Sequence, residues 1–386
     1  MHNTALSNRY NPGSSESIAN PWSDFTSPRH PNSGEALASH HLAGKRILIT
    51  GAGGSIGSAL APAVQASSPA SLVLLDTSES GLYQIDSSLH QAGSNRHIPI
   101  LGSVTNHDTI SHLFERYQPQ IIFHAAALKQ VPLMEQNPFA AIENNALGTF
   151  ALAQTAIAHR CEQLVFVSTD KAVDPLSIMG ASKRIAELVL ITLGVTKTRM
   201  TAVRLCNVIG SQGSVLPLFL AQIANGGPLT VTHADAERYF ITLGHTVRAL
   251  FAALQVEATP ALLIPDIGTP VCILDLAQHL LQSYKSSAVI EFTGLRPGDK
   301  LSEQLLSISE RFGPKQNLGG SILHTIESPR PTLFELHTAL DELREATHTH
   351  NLSQLLQAIR SLVPEYEPSS VITAALSNSP ALEMQI

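Results

Sequence analysis

Short apolar runs separated by helical stretches fill the first half of the chain. Five of these runs are rich in β-branched residues: RILIT, SLVLLD, QIIFHAAA, QLVFVSTD and MTAVRLCNV. Runs of this length and composition predict buried strands, and the stretches between them are long enough for helices. Strands joined by such crossovers pair in parallel, with helices on both faces of the sheet. The pattern therefore predicts an α/β protein built on a Rossmann-type doubly wound parallel sheet.

The segments around these runs differ in composition. Residues 1–43 are rich in Ser, Asn, Pro and His and have little apolar periodicity, which predicts a disordered tail or linker. Residues 44–210 hold the predicted strands of the Rossmann domain. Part of 240–270 is expected to complete its sheet.

The second half of the chain has a less regular alternation of predicted strands and helices. Gly and Pro interrupt residues 211–330, where we expect a smaller, discontinuous substrate-binding lobe. Two amphipathic C-terminal helices are predicted over 331–366, with a break near THTHN. The last segment, 367–386, is predicted to be a frayed tail.

Composition and charge exclude some function classes. The chain has 386 residues and a net charge of −7, so no basic excess favours nucleic acid or an anionic membrane. Its three cysteines are far apart and lack CxxC spacing, which favours a reducing compartment. None of the 17 histidines is assigned to a metal-ligand pattern, so no metal site is predicted. No apolar run approaches the roughly 18 residues that span a bilayer, so we expect a cytoplasmic protein without a membrane span.

The segment TGAGGSIGS follows the first strand and opens a helix. Its glycines let the backbone approach a pyrophosphate at the helix N-terminus, although a tight turn without a ligand stays open. Asp76 ends the second strand, where it is placed to accept hydrogen bonds from an adenosine ribose, and Glu79 would repel a 2′-phosphate. NAD is therefore favoured over NADP. The residues predicted to contact the cofactor here are Gly51, Gly53, Gly54, Ser55, Ile56, Gly57, Asp76, Ala125 and Ala126.

Longer motifs follow one another in a fixed order: TGAGGSIGS, DTSESGLYQID, HAAALKQVPLMEQNP, STDKA, RLCNVIGSQGSVLPLF and FTGLRPGDKLSEQLL. In these motifs the chain resembles the extended short-chain dehydrogenase/reductases, specifically the nucleotide-sugar 4,6-dehydratases that act on UDP-N-acetylglucosamine in polysaccharide biosynthesis. The resemblance covers residues 45–367. It implies an NAD-dependent lyase, a UDP-sugar substrate and a homo-oligomer, which we expect to form through a helix pair that includes the helix bearing Lys183. Many relatives carry transmembrane helices before the catalytic domain, and the polar tail here implies a soluble form.

The chain departs from the family pattern at two positions. Ser103 stands where the family usually has an acidic residue available to the adenine amino group, and Ser103 and Val104 are still expected to contact the cofactor. Met179 stands four residues before Lys183, where a tyrosine is usual, and a methionine cannot act as a base. A Met-bearing branch exists among the larger, membrane-linked relatives. The substitution therefore favours that branch more than an inactive enzyme.

The chemistry is predicted to fall on STDKA, at the carboxyl end of a parallel strand, where such sheets bind ligands. In a 4,6-dehydratase Lys171 would take the C5 proton, Asp170 would protonate the departing C6 hydroxyl, and Thr169 would donate to the C4 oxygen. Lys183 is expected to bind the nicotinamide ribose, and a water or ribose hydroxyl relay is our hypothesis for the phenol missing at Met179. The Lys183 ammonium and burial would lower the pKa of Lys171, as a base requires. Positive neighbours would also lower the pKa of Asp170, which is unfavourable for an acid, and the sequence leaves this conflict open.

Substrate contacts are predicted at four further positions. Arg238 and Arg296 would clamp the UDP pyrophosphate, because guanidinium groups bind phosphate bidentately. Asn207 would bond a phosphate or sugar group, and Lys129 would line the sugar pocket. A structural or surface role stays open for each of them.

Two other functions stay open. A UDP-sugar 4-epimerase would need a C4 base on both passes and has no use for an Asp-Lys pair. A catalytically silent NAD-binding regulatory protein would keep the fold while Met179 marked lost chemistry, although retention of Asp170, Lys171 and Lys183 argues against it. The C5 configuration and the exact nucleotide sugar do not follow from the sequence.

Overall fold

A large mixed sheet forms the centre of the protein, which is described here by a computed structural model covering residues 39–378. The tail predicted over residues 1–38 lies outside the described residues. The strands, in chain order, are β1 (Arg46–Thr50), β2 (Ser71–Asp76), β3 (His97–Leu101), β4 (Ile121–His124), β5 (Gln163–Thr169), β6 (Arg199–Leu205), β7 (Asn207–Val208), β8 (Leu229–Val231), β9 (Glu237–Arg238), β10 (Phe240–Ile241), β11 (Ala261–Pro265), β12 (Val271–Cys272), β13 (Ile290–Phe292), β14 (Arg311–Leu318) and β15 (Ser321–Glu327).

Helices follow most of the sheet strands. In chain order they are α1 (Ser55–Ala66), α2 (Glu79–Gln91), α3 (His107–Tyr117), α4 (Val131–Gln136), α5 (Pro138–Ala141), α6 (Gly148–Ala158), α7 (Ile178–Leu193), α8 (Val215–Ala224), α9 (Leu243–Ala253), α10 (Ile273–Ser283), α11 (Leu333–Thr349), α12 (Leu352–Leu362) and α13 (Ser370–Asn378). None of these helices has the length and apolarity that a bilayer-spanning segment requires within the described residues.

The main sheet has nine strands in the order β14, β15, β11, β6, β5, β4, β1, β2, β3. All strands from β3 to β11 run parallel, and β15 and β14 continue the sheet in antiparallel pairing. The five predicted strands are all present in it. The prediction of a Rossmann-type parallel sheet is therefore confirmed. The chain crosses over between β1 and β4, the position at which doubly wound sheets open a ligand crevice at the carboxyl ends of their strands.

Alternate residues of each strand face opposite layers of helices. Ile47 and Ile49 of β1 belong to an apolar cluster with residues of α1, α2 and α9, whereas Leu48 belongs to a second cluster with residues of α3, α6, α7, α11 and α12. Each side chain is fully buried. A third, smaller cluster joins α8, β8 and α10 in a separate lobe beside the sheet.

Three predicted boundaries differ from the structure. Residues 311–327, expected in the substrate lobe, form a hairpin that pairs with β11, because this covers an edge strand of the main sheet. Residues 39–43, expected in the tail, pack against the domain, and Leu42 is fully buried. The frayed tail predicted from residue 367 is wrong up to 378. There α13 buries Ile372, and the Ser369 hydroxyl donates to the Glu135 carboxylate.

Helix α7 carries Lys183 and is buried along its whole length. Helices α4, α5, α6, α11 and α12 of the same chain pack around it. The expectation that this helix lies in a homo-oligomer interface is therefore wrong, because it has no free face. A homo-oligomer through another surface stays a prediction.

A buried group of charges, which we call the Arg204 cluster, fastens α7 to β6 and to the segment before β14. It consists of Arg184, Glu187, Arg204 and Glu310. The Arg204 guanidinium donates to both oxygens of Glu187 at 2.8 and 2.9 Å and to both oxygens of Glu310 at 2.7 and 2.8 Å. Bidentate pairs of this kind fix both partners in orientation.

Candidate active site

The glycine turn after β1 brings the backbone close to the strand beside it. Gly51 has a φ of +72°, and a Cβ there would lie 2.5 Å from the amide nitrogen of Ala126. A Cβ on Gly57 would collide with the carbonyl oxygen of Gly51. Gly54 then caps the N-terminus of α1 without any side chain over the helix end. Because side chains are missing at these points, the turn leaves open a cradle that fits a pyrophosphate.

Asp76 ties this turn to β2. Its Oδ2 accepts a hydrogen bond from the Gly53 amide at 2.8 Å, and its Oδ1 accepts one from the Ser78 amide at 2.7 Å. Each carboxylate oxygen has a second lone pair, so Asp76 keeps acceptor capacity for ribose hydroxyls. The predicted cofactor residues of the turn and of β2 therefore fit a dinucleotide. Ser103 is engaged locally, with its hydroxyl 2.8 Å from that of Thr105, and Val104 is buried.

A chain of buried hydrogen bonds supports the floor of the site. His124 lies between the hydroxyls of Thr50 and Thr149 at 2.7 and 2.9 Å, and Thr149 donates onward to the Asn145 carbonyl. Burial, followed by the charge of Lys183, lowers the pKa of His124 to about 3. His124 is therefore neutral and structural. The Asn145 amide bonds the backbone of Leu128 in both directions and thus holds the loop after β4.

A cleft of about 620 Å³ opens at the carboxyl ends of β1, β4 and β5 and reaches toward the second lobe. It collects most of the site residues predicted from the sequence. Those that line it are Gly51, Gly54, Ser55, Ile56, Gly57, Ala125, Lys129, Thr169, Lys171, Met179, Lys183, Asn207, Arg238 and Arg296. The predicted residues outside its lining are Gly53, Asp76, Ser103, Val104, Ala126 and Asp170.

Three charged side chains meet at the end of β5, and we call them the Lys171 cluster: Asp170, Lys171 and Glu303. The Lys171 ammonium lies 3.0 Å from Asp170 Oδ1 and 3.3 Å from Glu303 Oε1. It also donates to Asn207 Oδ1 at 3.3 Å. Both carboxylates are almost completely buried. Thr169 donates its hydroxyl to Asp170 Oδ1 at 3.0 Å, which orients the acid.

Burial and the neighbouring charges shift the pKa of each residue in the Lys171 cluster. For Asp170, burial is the largest effect and raises the pKa, which Lys171 opposes and Glu303 reinforces. For Lys171, burial acts to lower the pKa, but the two carboxylates outweigh it and the pKa is raised. The nearby cations hold the pKa of Glu303 below its usual value in spite of burial. The lone protein therefore holds Lys171 as an ammonium and Glu303 as a carboxylate.

Glu303 was missed by the sequence analysis. It lies in the GDKLSE stretch, 132 positions after Lys171 in the numbering, so only the fold brings the two together. Its Oε2 has no hydrogen-bond partner among residues 39–378, and the Lys300 ammonium lies 3.7 Å away. Asp170 Oδ2 is likewise buried without a hydrogen bond in this part of the chain. Two buried acceptors are thus left unused.

Lys183 and Met179 lie side by side on the buried face of α7 that borders the cleft. The Lys183 ammonium donates to the Val167 carbonyl at 2.6 Å and lies 3.9 Å from the centre of the Phe166 ring. Burial lowers the pKa of Lys183 to about 7, against the raising effect of Glu187. Lys183 therefore exchanges its proton near neutrality, which Met179 cannot do.

The predicted substrate residues differ in how free they are. Arg238 uses its guanidinium on the carbonyls of Glu237, Lys300 and Leu301. Arg296 is exposed and pairs with Asp299 at 2.7 Å. Their role as a pyrophosphate clamp stays a prediction.

Two further residues border the same space. Lys129 donates to the Gln212 carbonyl at 2.8 Å, and burial lowers its pKa with help from the charge of Lys171. Asn207 is held by the Tyr239 carbonyl and by Lys171. Both line the cleft, and their contact with a sugar stays a prediction.

The sheet order, the glycine turn and the cleft define a Rossmann-type α/β protein with a dinucleotide-binding turn. The family model of polysaccharide biosynthesis proteins matches residues 47–318. The chain is 43% identical over 282 residues to the capsular polysaccharide biosynthesis protein CapD of Staphylococcus aureus, a match covering 71% of this chain and 47% of that protein. The chain thus spans about half the length of that relative. It belongs to the polysaccharide biosynthesis protein family.

Two other similarities are informative. The chain is 32% identical over 290 residues to the UDP-glucose 4-epimerase of Rickettsia prowazekii, covering 72% of this chain and 81% of the epimerase. The X-ray structure of Pen from Bacillus thuringiensis superposes with a TM-score of 0.68 at 28% identity. That superposition covers 76% of this chain and 92% of Pen.

Proposed function

We propose that this chain is an NAD-dependent nucleotide-sugar 4,6-dehydratase that converts UDP-N-acetylglucosamine to a UDP-4-keto-6-deoxy sugar. The observation that carries the proposal is the Lys171 cluster, in which an ammonium touches two buried carboxylates beside the cleft. Elimination of water from C5 and C6 requires one group that takes a proton and another that gives one. The Asp170-Lys171 pair supplies both functions in a single contact.

The contact between Asp170 and Lys171 suggests how the pair acts. A proton that moves from Lys171 Nζ to Asp170 Oδ1, along their 3.0 Å contact, produces a neutral amine and a carboxylic acid together. The raised pKa of Asp170 favours this transfer and the raised pKa of Lys171 opposes it, so the pair keeps its charges in the lone protein and the transfer accompanies removal of the C5 proton. Lys171 then removes the C5 proton, and Asp170 protonates the departing C6 hydroxyl, which leaves as water. The ammonium of Lys171 afterwards returns a proton to C5, so that the net change is the loss of one water.

The cofactor is assigned to the glycine turn, with its pyrophosphate at the N-terminus of α1 and its adenosine ribose at Asp76. Bound NAD would accept a hydride from C4 of the sugar and later return it to C6. Thr169 would turn its hydroxyl from Asp170 Oδ1 to donate a hydrogen bond to the C4 oxygen of the bound sugar. Lys183, with a pKa of about 7, is the group that receives the C4 hydroxyl proton through a ribose hydroxyl or a water. This gives the relay an end point without a tyrosine.

A 4-epimerase is the second candidate, and the similarity to the rickettsial enzyme supports it. An epimerase keeps the C5 proton and the C6 hydroxyl, so it needs no acid and base beside them. The burial of two carboxylates around Lys171 is energetically unfavourable, and in an epimerase it would serve no step of the reaction. The Lys171 cluster therefore favours elimination over epimerisation, and also over a silent NAD-binding protein.

The test is a reaction of the purified protein with UDP-N-acetylglucosamine and catalytic NAD⁺ in deuterated water, followed by product mass. The proposal expects the loss of one water and the gain of one deuterium at C5. A product with the mass of the substrate and an inverted C4 would show an epimerase. No change in the sugar, with NAD binding confirmed separately, would contradict catalysis on this substrate.

A further inference from the structure

We propose that Asp86, His90 and His97 form a binding site for a divalent transition-metal ion, with Zn²⁺ the best fit, that clamps α2 to β3. The proposal is independent of the proposed function, since none of the three residues lines the cleft. Their ligand atoms lie within 4.8 Å of one another. The proposal departs from the expectation from the sequence that no histidine belongs to a metal site.

Local structure brings the three side chains together. Asp86 and His90 are four residues apart on α2, so they project from the same face of the helix. His97 is the first residue of β3, after the short turn that ends α2. His97 Nε2 lies 3.0 Å from Asp86 Oδ1 and 3.2 Å from His90 Nδ1, and the last two atoms are 3.5 Å apart.

These separations match a metal site. In a tetrahedral zinc site with nitrogen and oxygen ligands about 2.0–2.1 Å from the ion, neighbouring ligand atoms are about 3.3 Å apart. The three observed separations scatter closely around that value, and an ion just off their plane would touch all three atoms. A hydrogen bond between His97 and Asp86 alone would not require His90 Nδ1 to approach both. Two imidazoles and one carboxylate are also a ligand set that zinc accepts.

The surroundings prepare the site for an ion. The side chain of His97 is only 1% exposed, and its Nδ1 lies 2.9 Å from the Ser94 hydroxyl. With an ion bound, Ser94 would accept the Nδ1 proton of His97 and leave the Nε2 lone pair directed at the ion, as hydrogen-bond partners of ligating histidines do. His90 Nδ1 is also 3.0 Å from the Asp86 carbonyl, a contact that the metal would replace while the His90 proton moves to Nε2. The side chain of His90 is 63% exposed, so the fourth position opens to water.

The location suggests a structural role. His97 begins β3 at the amino edge of the sheet, opposite the edge that carries the glycine turn. The other end of α2 packs against that turn, since a Cβ on Gly81 would lie 2.9 Å from the Gly53 carbonyl oxygen. An ion at the far end would therefore fix the helix that supports the cofactor cradle.

The test measures Zn²⁺ binding by titration calorimetry on full-length protein, purified without a polyhistidine tag and stripped with a chelator. The proposal expects the parent protein to bind one Zn²⁺ more than His90→Ala, with a rise in melting temperature that His90→Ala lacks. The ligand loss should weaken binding at this site by roughly tenfold or more. His90 is exposed, so its replacement leaves the fold intact, and His112→Ala, an exposed histidine on α3, is the matched control.

Co²⁺ supplies a second readout, because a tetrahedral site gives visible absorption far stronger than hydrated Co²⁺. We expect this absorption in the parent and in His112→Ala and its loss in His90→Ala. Equal zinc stoichiometry in the parent and His90→Ala, or absorption that His90→Ala retains, would overturn the proposal.

Discussion

The protein buries two clusters of charged side chains, and they differ in how completely their polar atoms are paired. In the Arg204 cluster two guanidinium groups balance two carboxylates, and each carboxylate oxygen accepts at least one hydrogen bond. In the Lys171 cluster Lys171 contacts both carboxylates, Lys300 and Arg238 lie farther away at 3.7 and 3.9 Å from Glu303, and Asp170 Oδ2 and Glu303 Oε2 have no hydrogen bond within residues 39–378. The two clusters lie on neighbouring strands: Asp170 and Lys171 directly follow β5, Arg204 lies on β6, and each cluster takes one glutamate from the segment 303–310.

The contrast separates structure from chemistry. A fully paired buried network holds elements together and resists change, whereas buried acceptors left unpaired are unfavourable and persist where they serve another purpose. The pKa values follow the same division. Arg204 is held as a cation with its pKa raised by both glutamates in spite of burial, while Asp170 is pushed toward its neutral form. We therefore expect replacements in the two clusters to affect different measurements.

The largest effect is expected for Lys171→Met. It removes the group that takes the C5 proton, so turnover should fall by about 10²–10⁴-fold. The variant should stay folded at neutral pH, because Asp170 takes up a proton when its cationic partner is gone. Steady-state product formation and thermal melting measure the two properties, and Lys197→Met at an exposed position is the control. Near-normal turnover in Lys171→Met would refute the assignment.

Arg204→Met should act on stability instead. Removing the guanidinium leaves Glu187 and Glu310 buried with only Arg184 between them, which costs about 3–5 kcal/mol for a buried pair. Denaturant unfolding measures this loss. Arg344→Met, which breaks the exposed pair with Asp341, is the matched control and should leave the unfolding free energy nearly unchanged. If the two variants unfolded alike, the Arg204 cluster would not be the structural anchor.

Replacing Lys183 should raise the stability of the protein, the opposite of the effect expected for Arg204→Met. Its folded pKa of about 7 lies below the ordinary 10.5, so the unfolded chain binds more protons between these values and stability rises with pH across this window. The burial penalty is therefore greatest below pH 7. Lys183→Met should raise the free energy of unfolding at pH 7, with a gain that shrinks toward pH 10, and should lower turnover. A variant less stable than the parent at pH 7 would show that the Val167 and Phe166 contacts outweigh the burial penalty.

The smallest effect is expected for Glu303→Gln. Its negative charge raises the pKa of both Asp170 and Lys171, so its removal lowers both. The pH-rate profile should therefore move to lower pH, with a modest loss of turnover and little change in folding. Glu257→Gln, at an exposed position, should leave the profile where it is. An unchanged profile in Glu303→Gln would remove Glu303 from the chemistry.

Much of the cofactor site follows from local sequence, because the strand, the glycine turn, α1 and Asp76 lie close together in the chain. Asp170 and Lys171 are adjacent and end a predicted strand, which placed them at the carboxyl edge. Glu303 and Glu310 could not be placed, since their partners are on distant strands and no local pattern marks them. The same holds for β14 and β15. The burial pattern of β14 is weak, and the place of both strands in the sheet depends on the free edge of β11.

The central claim, that Lys171 acts after C4 is oxidised, is tested most directly by mixing Lys171→Met with NAD⁺ and UDP-N-acetylglucosamine and following absorbance of the reduced nicotinamide. The account predicts that the reaction stalls after C4 oxidation, because the C5 proton cannot be removed. Reduced cofactor should then accumulate on the enzyme, so that its absorbance rises without a lag and stays high. In the parent protein the absorbance of reduced cofactor should not stay high. Bound sugar and cofactor with no such rise, or a rise followed by normal release of product, would contradict it.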